Sequence, residues 1–273
     1  MKKFLIGITI VISAFIFNSV TEAAQVDQLS EEELDYLYNN LNFNEKKIEA
    51  MPLMDLKALV EGQAEIVLDF DEYYNVEEPN DAEIQPLALT KSDLNLWGNV
   101  YKFNDSDVSG YTKFMAMSTF RWLKTPVWNL SDKIAIGLPT GIGIFYKTSN
   151  GNISGFSSYT AIFDKSNDKL LSYTDQYNVP APGNYNINNG VASTHDLKLS
   201  LKPNQVNGGY VSQYFYIPNA NTGKGRKANV QFEYGHRTVA GSVGLSFGVG
   251  GLGVGITQHY RTEILPYAEE FNY

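Results

Sequence analysis

The segment Asp105-Ser106-Asp107-Val108-Ser109-Gly110 places side-chain oxygens at positions 1, 3 and 5 and a glycine at position 6, the first half of a calcium-binding loop. The second half departs from that pattern. Position 9 is Lys113, and position 12, where a bidentate glutamate belongs, is Ala116. An EF-hand is therefore excluded. The spacing predicts either a looser calcium turn on Asp105, Asp107 and Ser109 or an Asx-type turn that needs no metal. Asp164, Ser166 and Asp168 repeat the spacing without the glycine.

Other candidate chemistry is sparse. His195, His236 and His259 are the only histidines, and none has a second histidine or a carboxylate at ligand spacing on its own element. The absence of cysteine removes thiol catalysis, thiolate zinc sites and disulfides. The chain has no HExxH helix, and its GxSxG match, Gly244-Leu245-Ser246-Phe247-Gly248, lies within an alternating strand run rather than at a strand-to-helix elbow. Carboxylate pairs of the glycosidase kind need a cleft in a folded domain, whereas most acids here lie in the N-terminal third. Calcium is thus the one cofactor to consider, and enzyme activity is a minority reading.

Binding chemistry is better represented. Lys224, Arg226 and Lys227 sit in a glycine-rich loop suited to phosphate-bearing wall polymer or anionic lipid. Of the 18 tyrosines, Tyr210, Tyr214, Tyr216, Tyr177 and Tyr185 are candidates for stacking on carbohydrate. The most informative element is the stretch 239–262. A turn at Gly250-Gly251 registers Val249 with Leu252, Phe247 with Val254 and Leu245 with Ile256, and Val243 extends the same face. The opposite face is glycine, serine and threonine. Each strand, Val239–Val249 and Leu252–Thr262, has 11 residues, matching the roughly 9–11 that a tilted membrane-spanning strand requires. The same alternation also suits the last strand pair of a soluble sandwich, with another layer packed closely on the glycines.

These residues need a frame, and the pattern along the chain supplies one. From Leu94 onward apolar residues alternate with period 2 and turn residues recur every 8 to 14 positions. Strands are expected at 94–103, 112–123, 133–138, 142–148, 153–163, 170–177, 192–201, 210–217 and 229–237, before the hairpin. The fold class is mainly β, an antiparallel sandwich over 91–273, with Phe114, Phe120 and Trp122 on an inward face. Ahead of it, Ser30-Glu31-Glu32-Glu33 is a capping box, Asn44 can cap a second short helix, and Pro52 to Gly62 brackets a third. Such short helices need a surface for their apolar stripes. Residues 75–90, acidic and helix-breaking, are expected to be a linker.

Net charge follows this division. The chain of 273 residues carries −9, but 25–84 holds 17 acids against 3 bases and 85–273 holds 12 acids against 16 bases. The acidic helical segment 25–74 is expected to be either an accessory module or a prosegment docking on the basic remainder. The acidic total argues against a nucleic-acid partner. Met1-Lys2-Lys3, the apolar run Phe4–Phe17 of 14 residues and a small-residue end near Ala23 and Ala24 have the form of a signal peptide over 1–24, so the protein is expected to be secreted.

The pattern Leu41-Asn42-Phe43-Asn44-Glu45, Ile48, Met51-Pro52 and Leu59 to Gly62, together with Met117–Ile136 and Ser242–Ile256, resembles uncharacterised secreted proteins of Gram-positive bacteria with a C-terminal glycine-rich β-sandwich domain. The resemblance implies export and a sandwich, and brings no activity or site with it. Three functions follow as expectations: an exported non-enzymatic protein binding an envelope polymer, carbohydrate or membrane surface; a membrane-active, pore-forming or bacteriocin-like protein using the hairpin; and a secreted hydrolase.

Overall fold

The computed structural model describes residues 25–72, 93–126, 130–198, 201–223, 225–237, 244–247, 254–257 and 262–273. The expected signal peptide and linker lie outside the described residues. After a short 3-10 turn come α1 (Glu31–Asn39), α2 (Glu45–Glu49) and α3 (Leu53–Glu61). The capping box at α1 is formed, with Glu33 N donating to Ser30 Oγ at 3.2 Å and Ser30 N to the Glu33 carboxylate at 2.7 Å. Asn44 caps α2, and α3 is bracketed by Pro52 and Gly62.

Fifteen strands follow among the described residues: β1 (Glu65–Glu72), β2 (Leu94–Lys102), β3 (Tyr111–Trp122), β4 (Ser131–Gly137), β5 (Thr148–Ser149), β6 (Asn152–Ile153), β7 (Phe156–Asp164), β8 (Leu170–Tyr177), β9 (Tyr185–Asn186), β10 (Gly190–Asp196), β11 (Gln205–Pro218), β12 (Lys227–Arg237), β13 (Gly244–Phe247), β14 (Val254–Thr257) and β15 (Thr262–Asn272). They form a six-stranded sheet in the order β1-β2-β3-β11-β7-β8 and a five-stranded sheet in the order β15-β12-β4-β10-β9, all antiparallel, with β13-β14 and β5-β6 as separate pairs.

The two sheets face each other as the alternation predicts. Phe114, Phe120 and Trp122 of β3 point at the five-stranded sheet, where Trp122 Nε1 donates to Tyr234 OH at 2.9 Å and Phe120 packs on Tyr234 and His195. Approach is close: a Cβ on Gly98 of β2 would come within 2.8 Å of the Phe232 ring. Glycine weakens a strand and stays where a neighbouring layer fills the side-chain space.

The outer face of the six-stranded sheet is covered by the helices. Leu37, Leu41, Ile48, Leu56 and Leu59 share one continuous core with Tyr101, Met115, Met117, Tyr159 and Tyr210 of the sheet. Asp55 of α3 is buried in this interface and accepts from Tyr210 OH at 2.8 Å and Ser212 Oγ at 3.0 Å. The surface required by the short helices is thus the sheet itself. The same contact corrects the tyrosine platform: Tyr210, Tyr214 and Tyr216 lie within packed layers, with Tyr210 at 0% and Tyr216 at 3% exposure, so none offers a face to a sugar.

Two elements differ from expectation. The segment 65–72 is a strand that forms the sheet's edge beside β2, so the acidic N-terminal region is built into the sandwich rather than set apart from it. Residues 142–148 do not form a strand. They meet the sheet through one bridge, Phe145 with Tyr216, because Gly141 and Gly143 turn the backbone to φ +87° and +80°.

Candidate functional site

The hairpin occupies an unusual place. β12 and β15 pair along their whole length, ending at Arg237 opposite Thr262, and the chain between those two residues leaves the sheet and returns. Within this excursion β13 and β14 pair with Gly244 opposite Thr257, Leu245 opposite Ile256, Ser246 opposite Gly255 and Phe247 opposite Val254. This is the register set by the Gly250-Gly251 turn. Six residues, 238–243, lead from β12 to β13, and four, 258–261, lead from β14 to β15. The hairpin is therefore offset by two residues from a straight continuation of the ribbon below it.

Alternation along the five-stranded sheet sends Ile134 and Ile136 into the main core and leaves Ala135 and Ala192 on the outer face. There Ala135, Ala192 and Ile256 form a second buried cluster, with Leu245 packed partly against it. Glu233 of β12, registered beside Ala135, lies on the same face and is 7% exposed. Its carboxylate accepts from the Ile256 N–H and from the Gln231 side-chain amide. Burial pushes Glu233 above the ordinary carboxylate range, outweighing these two donors. One buried isoleucine and one half-buried leucine contribute roughly 2–4 kcal/mol, far less than the aromatic layer between the sheets. Of the residues predicted for the hairpin face, Leu245 and Ile256 meet the sheet, Phe247 and Val254 hold their predicted register, and Val243, Val249 and Leu252 lie outside the described residues.

Below the hairpin, its root is braced. Asp132 of β4 is fully buried and receives Tyr234 OH, His236 Nδ1 at 3.0 and 3.1 Å, and Arg237 N at 3.1 Å. Burial raises the Asp132 carboxyl, against the pull of these donors. His236 is 3% exposed and packs edge-on to Trp122, so the Asp–His pair stiffens the strand end rather than facing a substrate. No local spacing announces it, because Asp132 and His236 meet only across paired strands. His195, between the sheets, has its Nδ1 3.1 Å from Thr160 Oγ1 and is pushed down to about 3 by burial, a neutral core histidine. His259 lies outside the described residues.

The remaining candidates scatter. Lys227 pairs with Glu270 at 2.7 Å and Arg226 Nη1 donates to Asn221 O at 2.9 Å, while Lys224 lies outside the described residues. The 105–110 turn sits at the start of β3. Asp105 and Ser109 are exposed, and Asp107 accepts from Lys147 Nζ at 2.6 Å and Tyr216 OH at 2.8 Å, with Lys113 at 3.9 Å. Desolvation raises the Asp107 carboxyl, but these donors and the Lys113 charge outweigh it and hold the group below its usual range. A calcium ion here would have to compete with two lysines. Among the described residues no three His, Asp or Glu side chains converge on a point that could hold a metal. Tyr177 is half-exposed, and Tyr185 is partly buried.

No family model and no curated protein matches the chain. Among solved structures it is similar to the Clostridium perfringens NetB toxin in the membrane inserted form, at 8% identity over 66% of this chain and 91% of that one, with a TM-score of 0.31. It is also similar to the N-terminal domain of the Streptococcus gordonii adhesin Sgo0707, at 10% identity over 68% of this chain and 72% of that one, with a TM-score of 0.14. Likenesses this distant decide nothing about function. Among the described residues no helix is long and apolar enough to cross a membrane, which says nothing of spans built from strands.

Proposed function

We propose that this is a membrane-active protein: the hairpin rests on the outside of the sandwich in the water-soluble form and leaves it to cross a bilayer as a two-stranded ribbon. The observation that carries this reading is the separation of the two cores. The sandwich closes around its own interior, and the hairpin touches it through a second small cluster on the far side of one sheet. Undocking gives up roughly 2–4 kcal/mol of apolar burial, far less than opening the layer between the sheets would. From Thr238 to Tyr260 the chain holds 23 residues without Asp, Glu, Lys or Arg, flanked by Arg237 and Arg261. That suits a hydrocarbon core bounded by groups that reach the headgroups.

The apolar face of the straightened ribbon carries Val243, Leu245, Phe247, Val249, Leu252, Val254 and Ile256 toward lipid. A lone ribbon would leave unpaired N–H and C=O groups along both edges, so several copies must close a barrel. The absence of cysteine allows a clean test. Ala135→Cys with Ile256→Cys staples the docked hairpin when oxidised. Dye release from liposomes of phosphatidylcholine and phosphatidylglycerol should fall at least about tenfold in the oxidised protein and return on reduction, the scale expected when the competent state is locked away. Equal release in the two forms, or none from the unmodified protein, would overturn the proposal.

A further inference from the structure

We infer that Glu233 is the release group of the hairpin: docking encloses its carboxylate, and the ionised form loosens the docked state, so a proton on Glu233 tightens the hairpin against the sheet. The inference rests on the reading that the hairpin leaves the sheet, and adds what governs its departure.

Among the described residues Glu233 meets only neutral donors in the dock, the Ile256 N–H and the Gln231 amide. The surrounding charges lie elsewhere. On the same face, Lys133 of β4 is registered one pair further along, opposite Gly235, and its Nζ donates to Asn184 Oδ1 at 3.1 Å. Arg237 is the next charged position outward in β12. The nearby β15 positions Ile264, Pro266 and Ala268, the β10 positions Ala192 and Thr194, and the residues of β13 and β14 bring no ionisable group. His236 points to the other face, onto Asp132. A carboxylate so enclosed loses water without gaining a cation, and two neutral donors replace that hydration only in part.

The sign follows from linkage. With the hairpin docked, Glu233 sits above its ordinary value of 4.5, and with the hairpin away it returns to water. The docked state therefore holds the proton more tightly. Docking strengthens as pH falls through the raised value, levels off below about 4.5, and is weakest at neutral pH and above. An acid-triggered device would show the opposite dependence.

The test needs no membrane. A single cysteine at Ala135, 1% exposed beneath the hairpin, is placed in the full chain with Glu233 or with Glu233→Gln, and its maleimide labelling rate is followed from pH 5 to pH 8. The ratio between the two backgrounds cancels the thiol's own pH dependence. At pH 8 the Gln background should label several-fold more slowly, and the ratio should move toward one as pH falls to 5. A carboxylate beside the thiol would itself slow labelling, so the expected direction cannot arise from that effect. A ratio near one at every pH, or faster labelling in the Gln background, would overturn the inference. Ala192→Cys serves in the same way if Ala135→Cys does not fold. A retained ratio without dye release would reject the membrane reading alone, and a flat ratio with staple-sensitive release would reject the role of Glu233 alone.

Discussion

The helices α1–α3 on the six-stranded sheet and the hairpin β13-β14 on the five-stranded sheet occupy matching places, each an added layer on the outer face of the sandwich with a buried carboxylate at its contact. The helices are continuous with the main core, and Asp55 of α3 receives two hydroxyl groups from β11. The hairpin has its own small cluster, and Glu233 beneath it holds the hairpin backbone through the Ile256 N–H. Area and side-chain size separate the two. A layer that buries leucines and tyrosines together cannot leave without unfolding its sheet, while one resting on alanines can.

That contrast can be broken by mutation. Leu56→Ala, at 0% exposure between the helices and the sheet, should lower the free energy of unfolding by about 2–5 kcal/mol in a urea titration followed by tryptophan fluorescence. Ile256→Ala, at 7% exposure in the hairpin's contact with the sheet, should lower the same quantity by no more than about 1–2 kcal/mol, because the loss is capped by the small free energy of docking. Equal losses would mean that the hairpin belongs to the same cooperative unit as the helices.

Asp132→Ala tests the root on which the hairpin turns. It strands the Tyr234 hydroxyl, the His236 Nδ1 and the Arg237 N–H, and the expected cost is about 3 kcal/mol in the same titration. A loss below about 1 kcal/mol would show that the root is as loosely held as the hairpin it carries.

Asp55 gives a smaller, pH-dependent signature. Burial raises its carboxyl above the usual value of 3.8, more than Tyr210 and Ser212 lower it. The folded state then binds the proton more tightly than the unfolded chain, so stability tied to Asp55 is gained as pH falls through the raised value and is absent at neutral pH. Asp55→Asn keeps an acceptor for both hydroxyls and lacks the titration. The variant's melting temperature relative to the unaltered protein should be highest at pH 7.5 and decline toward pH 4.5. A constant difference would remove Asp55 from the pH response.

Much of this architecture was legible in the residues because the signals were local. Ser30 and Glu33 lie three positions apart, and the capping box needs nothing else. Gly250-Gly251 at the centre of two alternating runs was enough to register Leu245 with Ile256 and Phe247 with Val254. The strand β1 was hidden because Asp69, Asp71 and Glu72 make it look like solvated chain. Asp69 is partly covered instead, held by Lys47 at 2.9 Å and by Asn99 at 2.7 Å, while Phe70 stacks on Phe232. Tyr210 and Tyr214 looked available for carbohydrate because a strand's alternation shows that two faces exist and not what covers each.

Alone, the sequence determined the helices, the antiparallel strands and the self-complementary hairpin, since capping, alternation and turn chemistry act over a few residues of one chain. The tertiary structure decided that the acidic helices close one sheet, that Asp132 meets His236, and that the hairpin lies outside the core with Glu233 beneath it. Those facts depend on which surfaces, far apart along the chain, exclude water from each other. Burial is a property of such pairs of surfaces, and no spacing within a single segment records it.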